Sequence, residues 1–123
     1  MKFSTGLYIG WVIVIALLTL VPGKALPQID WNFFSLDKLI HFTIFSIMTF
    51  LGIASFKSSL GQARVIIPIL VSLLIAILYG ALLEYLQSFI PDREFDFADL
   101  IANIGGSIAG VILFLFSGTK TYN

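Results

Sequence analysis

One histidine and a set of carboxylates and amides fall at helical intervals in this sequence. Asp37 and His41 are four residues apart, and Glu84 and Gln87 are three apart. Asp96, Asp99 and Asn103 advance by three and then four. Such intervals place each set on one face of a helix. A carboxylate beside an imidazole can move protons, with Glu84 the candidate base and His41 its partner. The same groups could hold a divalent cation. His41, Glu84 and Asp99 are the candidates, and oxygen-rich ligands point to Mg²⁺, Ca²⁺ or Mn²⁺. Arg93 adds a guanidinium able to grip a phosphate or carboxylate through two hydrogen bonds. The candidate binding set is therefore Asp37, His41, Glu84, Gln87, Arg93, Asp96, Asp99 and Asn103.

Each of these residues also has a plainer reading. His41 can be a core histidine satisfied by Asp37 or Glu84. Gln87 and Asn103 suit a network that satisfies neighbouring polar groups. Asp99 falls where a carboxylate favours a helix N-terminus, and Arg93 can pair with Asp92, Glu94 or Asp96. Asp92, Glu94, Asp96 and Asp99 lack the glycine and closing glutamate of a calcium loop, and no H-E-x-x-H is present. There is no phosphate loop, nucleophile elbow or dinucleotide fingerprint, so no organic cofactor is expected and no nucleophile stands out.

The elements that must position these groups are apolar. Of 123 residues, 59% are hydrophobic and 11% charged, with a mean hydropathy of +1.02. Soluble domains carry roughly a quarter of their residues charged, so lipid is the expected solvent. Net charge is zero and no basic run occurs, which argues against nucleic acid. Without cysteine there are no disulfides or thiolate metal sites.

Four apolar spans follow, and a backbone in lipid must satisfy itself within each segment, so they are expected as helices. The expectation is an all-α integral membrane protein: one domain over 1–123, with helices near 5–22, 37–56, 65–89 and 98–117 in a compact antiparallel bundle. The first span also fits a secretory signal, but its length and Pro22 favour a retained helix. Lys2, Lys57, Arg64 and Lys120 lie on one side of this arrangement and Lys24, Lys38 and Arg93 on the other. The positive-inside rule then places both termini in the cytoplasm. Partners would be membrane lipids, and the sequence leaves oligomerisation open.

The connections and packing carry further expectations. Ser35 before Leu36-Asp37-Lys38 reads as an N-cap. Lys57 to Arg64 reads as a short basic turn, and Pro68 as a kink or a first-turn residue. Trp31, Trp11, Tyr8, Tyr79 and Tyr85 could anchor the interface. Ser72, Ala76, Gly80 and Glu84 form one four-residue stripe, and Ala98, Ala102, Gly106 and Gly110 another. Matching small-residue stripes predict close packing of spans three and four. With the start of span two at the same edge, the eight candidate residues can converge at one depth.

D-K-L-I-H-F (37–42), Y-G-x-x-x-E-x-x-Q (79–87), P-D-R (91–93) and D-x-x-D-x-x-x-N-x-x-G (96–106) together resemble the VanZ-like family of bacterial membrane proteins. The resemblance covers nearly the whole chain and is weakest in the first span. It implies a four-span protein of the bacterial inner membrane in a family that includes a member linked to low-level teicoplanin resistance. It implies no established reaction. Three readings stand on this. The first is a module whose outer-leaflet pocket binds an envelope lipid, a cell-wall lipid intermediate or a glycopeptide. The second is an enzyme using Glu84 and His41, with or without a metal, on a lipid-linked substrate. In the third, the polar network serves only helix assembly.

Overall fold

The computed structural model describes residues 2–21, 34–60, 64–91 and 93–117. Among these residues there are four helices: α1 (Phe3–Thr19), α2 (Phe34–Leu60), α3 (Ile66–Gln87) and α4 (Phe97–Phe116). Three of them, over Asp37–Ser59, Ile66–Gln87 and Phe97–Phe116, are long and apolar enough to cross a membrane. At 17 residues α1 is shorter; its length of about 25 Å falls below the roughly 30 Å of a hydrocarbon core.

The helices are inverted relative to a soluble bundle. Leu70, Leu74, Leu78 and Leu82 run along an exposed stripe of α3, while Ser72, Ala76, Gly80 and Glu84 are buried on its other side. On α4, Ile101, Ile108 and Ile112 face outward, and Asp99, Asn103, Gly106, Ser107 and Gly110 face inward. Lipid solvates leucine as well as a protein core does, so burial selects small and polar residues that can pack closely or bond to each other.

α2 is the hub, and its largest interface is with α4. The expected pairing of the α3 and α4 stripes is only partly what forms. A Cβ on Gly106 would collide with the Phe42 backbone carbonyl, and one on Gly110 with the Ser46 carbonyl. The G-x-x-x-G of α4 therefore lets α2 approach, not α3. The α3 stripe also turns partly to α2. A Cβ on Gly80 would come within 3.2 Å of Asn103 on α4 and 3.3 Å of Phe45 on α2, and Ser72 packs against Gly52. Phe45 and Met48, both fully buried, form the centre with Ile15, Ala76 and Leu83. At the other end Ile53, Ile69 and Phe114 close the bundle.

Several local expectations are revised. α2 opens at Phe34, so Ser35 lies within the helix and not ahead of it. α2 also runs to Leu60, which places Lys57 in its last turn. Pro68 sits in the first turn of α3, where its missing N–H interrupts no helical bond. Trp11 and Tyr79 are structural ties: the indole N–H donates to the Ile44 carbonyl at 2.9 Å, and the phenol donates to the Val12 carbonyl at 2.6 Å. Tyr8 is buried, and Tyr85 is 57% exposed. Trp31 and the rest of 22–33 lie outside the described residues, as does Asp92.

Candidate functional site

The polar residues collect where α1 and α3 end and α2 and α4 begin. α4 starts there because Asp96, in extended backbone, caps it: its carboxylate accepts from the Ala98 N–H at 2.8 Å. Capping thus falls to Asp96, and Asp99, one turn on, turns into the bundle toward α2. Asp96 is also the acceptor end of a cross-link, because Lys38 Nζ donates to its Oδ2 at 2.8 Å. That hydrogen bond, with the Ala98 N–H assisting, outweighs partial burial and holds the Asp96 carboxyl below the usual carboxylate range.

Lys38 is the residue that spacing did not single out. Its ammonium donates to Asp37 Oδ2 at 3.0 Å, to Asp96 Oδ2, and to Asp99 Oδ1. One lysine stem, 16% exposed, joins three carboxylates from two helices. The only signal for it in the sequence is its place beside Asp37 in the D-K-L-I-H-F motif.

His41 lies deeper. Its Nδ1 is 3.0 Å from Asn103 Oδ1, a buried pair joining α2 to α4. Its Nε2 faces Asp99 Oδ2 at 3.4 Å and Asp37 Oδ1 at 3.7 Å. Asp37, His41 and Asp99 offer ligand atoms that all lie within 4.8 Å of one another, and Glu84 does not belong to this group. Exposure grades inward: the Asp37 and Asp96 side chains are 41% and 43% exposed, those of His41 and Asp99 only 7% and 8%. The site is a carboxylate rim over a buried imidazole.

Glu84, 1% exposed, accepts from the Asp96 N–H at 3.3 Å and lies within electrostatic reach of Asp99, Asp96 and Arg93. Among the described residues no hydrogen bond joins it to His41. Gln87 Nε2 donates to the Thr19 carbonyl at 2.6 Å, satisfying an orphan group at the end of α1. Arg93 Nη1 donates to the Val21 carbonyl at 2.9 Å, tying the α3–α4 connection to the same helix end. Asp37, His41, Asp96, Asp99 and Asn103 thus form one connected cluster with Lys38. Glu84 joins it through the backbone of Asp96, while Gln87 and Arg93 fasten its edge to α1.

A separate groove of about 460 Å³ between α2 and α4, lined by Phe50, Leu51, Leu113 and Phe116, lies at the opposite end and holds no titratable group.

A family model described as VanZ/LLP1 matches residues 4–118. No curated protein and no solved structure was found to match the chain.

Proposed function

The chain belongs to the VanZ/LLP1 family, and on that premise we propose that the polar end of its bundle binds the headgroup of an envelope lipid, with a lipid-linked cell-wall intermediate the favoured case. The observation that carries this reading is the graded cluster itself. Solvent-facing Asp37 and Asp96 lead to His41, Asp99 and Asn103, held by two helices long and apolar enough to cross a bilayer. Ionisable groups at such a depth are costly to retain for packing alone. Carboxylates outnumber cations at the rim, so the favoured headgroup carries an amine or reaches the site through a cation.

The cluster faces the outer leaflet in this proposal, with both termini in the cytoplasm. The positive-inside count supports that orientation. Holding a cell-wall intermediate there would alter what teicoplanin can reach at the cell surface, in keeping with the low-level resistance linked to one member of the VanZ-like family. The enzyme reading would require Glu84 and His41 to act on one atom, whereas Glu84 is engaged with the Asp96 backbone and His41 with Asn103.

The test substitutes Glu84→Gln and His41→Ala, checks folding in detergent, and measures binding and turnover of a lipid-linked cell-wall intermediate. Folded variants that bind at least tenfold more weakly, without turnover by the parent chain, agree with the proposal. Turnover abolished by either change would replace it with the enzyme, and undiminished binding would leave only helix assembly.

A further inference from the structure

The arrangement around His41 Nε2 differs from an ion pair in distance and in polarity. Asn103 Oδ1 accepts at Nδ1, so the proton of the neutral ring sits on Nδ1 and a lone pair sits on Nε2. Nε2 makes no hydrogen bond among the described residues. It faces Asp99 Oδ2 at 3.4 Å and Asp37 Oδ1 at 3.7 Å. A charge-assisted N–H···O bond would close to about 2.7–2.9 Å. Two ligands of one ion stand farther apart: bonds of about 2.1 Å separate neighbouring donors by roughly 3.0 Å at right angles and 3.4 Å in a tetrahedron. The observed separations lie near the tetrahedral figure and beyond the hydrogen-bonded one.

The carboxylates divide their oxygens in a matching way. Lys38 takes Asp37 Oδ2 and Asp99 Oδ1, leaving Asp37 Oδ1 and Asp99 Oδ2 turned toward the imidazole. With exposed Glu94 set aside, the groups gathered around the cluster, Asp37, Asp96, Asp99 and Glu84 against Lys38 and Arg93, sum formally to two negative charges. A divalent ion cancels both. Asn103 then plays the part that outer partners play at metal-bound histidines, fixing the tautomer and the ring plane through the far nitrogen.

We propose that Asp37 Oδ1, His41 Nε2 and Asp99 Oδ2 form a three-ligand site for a divalent first-row metal ion, its remaining positions open toward the Asp37 and Asp96 rim. Imidazole among the ligands favours a first-row ion such as Zn²⁺ over Ca²⁺ or Mg²⁺, and the two carboxylates also admit Mn²⁺. The set differs from the His41, Glu84 and Asp99 trio that the sequence offered, because Glu84 is held by the Asp96 backbone. This proposal adds to the headgroup reading without resting on it.

His41 is the only histidine in the chain, so a tag-free preparation gives an unambiguous spectroscopic signature. The full chain in detergent is titrated with Mn²⁺ alone and followed by electron paramagnetic resonance and electron spin-echo envelope modulation. The expected result is one Mn²⁺ per chain with nitrogen modulation from an imidazole, and at least tenfold weaker binding in Asp99→Asn. No binding at millimolar Mn²⁺, binding without nitrogen modulation, or unchanged affinity in Asp99→Asn would overturn the proposal. The nitrogen signal is read on the parent chain, so it stands even where the variant fails to fold.

Discussion

Lys38 donates to Asp37, Asp96 and Asp99 while only 16% of its side chain meets solvent. Removing one partner of a buried ion pair costs far more than the pair contributes, because the other charge is stranded. Asp99, at 8% exposure, is the group that would be stranded. Lys38→Met should therefore destabilise the chain by about 3 kcal/mol, measured by reversible unfolding in mixed detergent. Adding Asp99→Asn should restore most of that loss, and additive losses would disprove the coupling. Sequence phase could not find this lysine. One residue past Asp37, its Cα sits about 100° round the helix, off the face shared by Asp37 and His41. Only a four-carbon stem brings the ammonium back. His41, Asp99 and Asn103 have short side chains, which follow helical phase closely, and their inward aspect was legible.

Gly106 and Gly110 set the separation of α2 and α4 at the level of elements. Any Cβ there meets backbone carbonyls of α2, which cannot swing aside as a side chain does. Gly106→Ala and Gly110→Ala should each cost about 2 kcal/mol or more, because the helices must part. Gly10, with nothing within 4 Å of its added Cβ, is the control. Gly10→Ala should be neutral or stabilise by up to about 1 kcal/mol through helix propensity. Equal effects at the three sites, read from the same unfolding assay, would disprove close packing. The four-residue spacing of small residues announced a close contact, yet it carries no information about which helix supplies the other side. Hence α2 as the hub was invisible in the stripes, although its apolar span was plain. The helical class was legible because a long continuous apolar run in lipid can satisfy its backbone only as a helix. The extension of α2 to Leu60 was not, because Lys57 and Ser58 read as turn residues.

Over the whole molecule, charge is split end to end: the described carboxylates gather where α2 and α4 begin, whereas Lys2, Lys57 and Arg64 lie at the far end, which an apolar cluster of Ile53, Ile69 and Phe114 closes. The proposed orientation predicts that Glu94→Cys, at an exposed position, reacts with an impermeant thiol reagent applied to intact cells. Lys57→Cys should react only after the membrane is opened, and the reverse pattern would invert the topology. The claim on which the account turns is that the graded cluster is a headgroup site. Its most direct test is native mass spectrometry of the chain released from nanodiscs holding phosphatidylethanolamine, phosphatidylglycerol and a lipid-linked cell-wall intermediate. The account predicts one retained lipid per parent chain, enriched in the cell-wall intermediate and lost from folded Glu84→Gln. A parent chain that emerges without lipid, or a variant that retains it equally, would contradict the account.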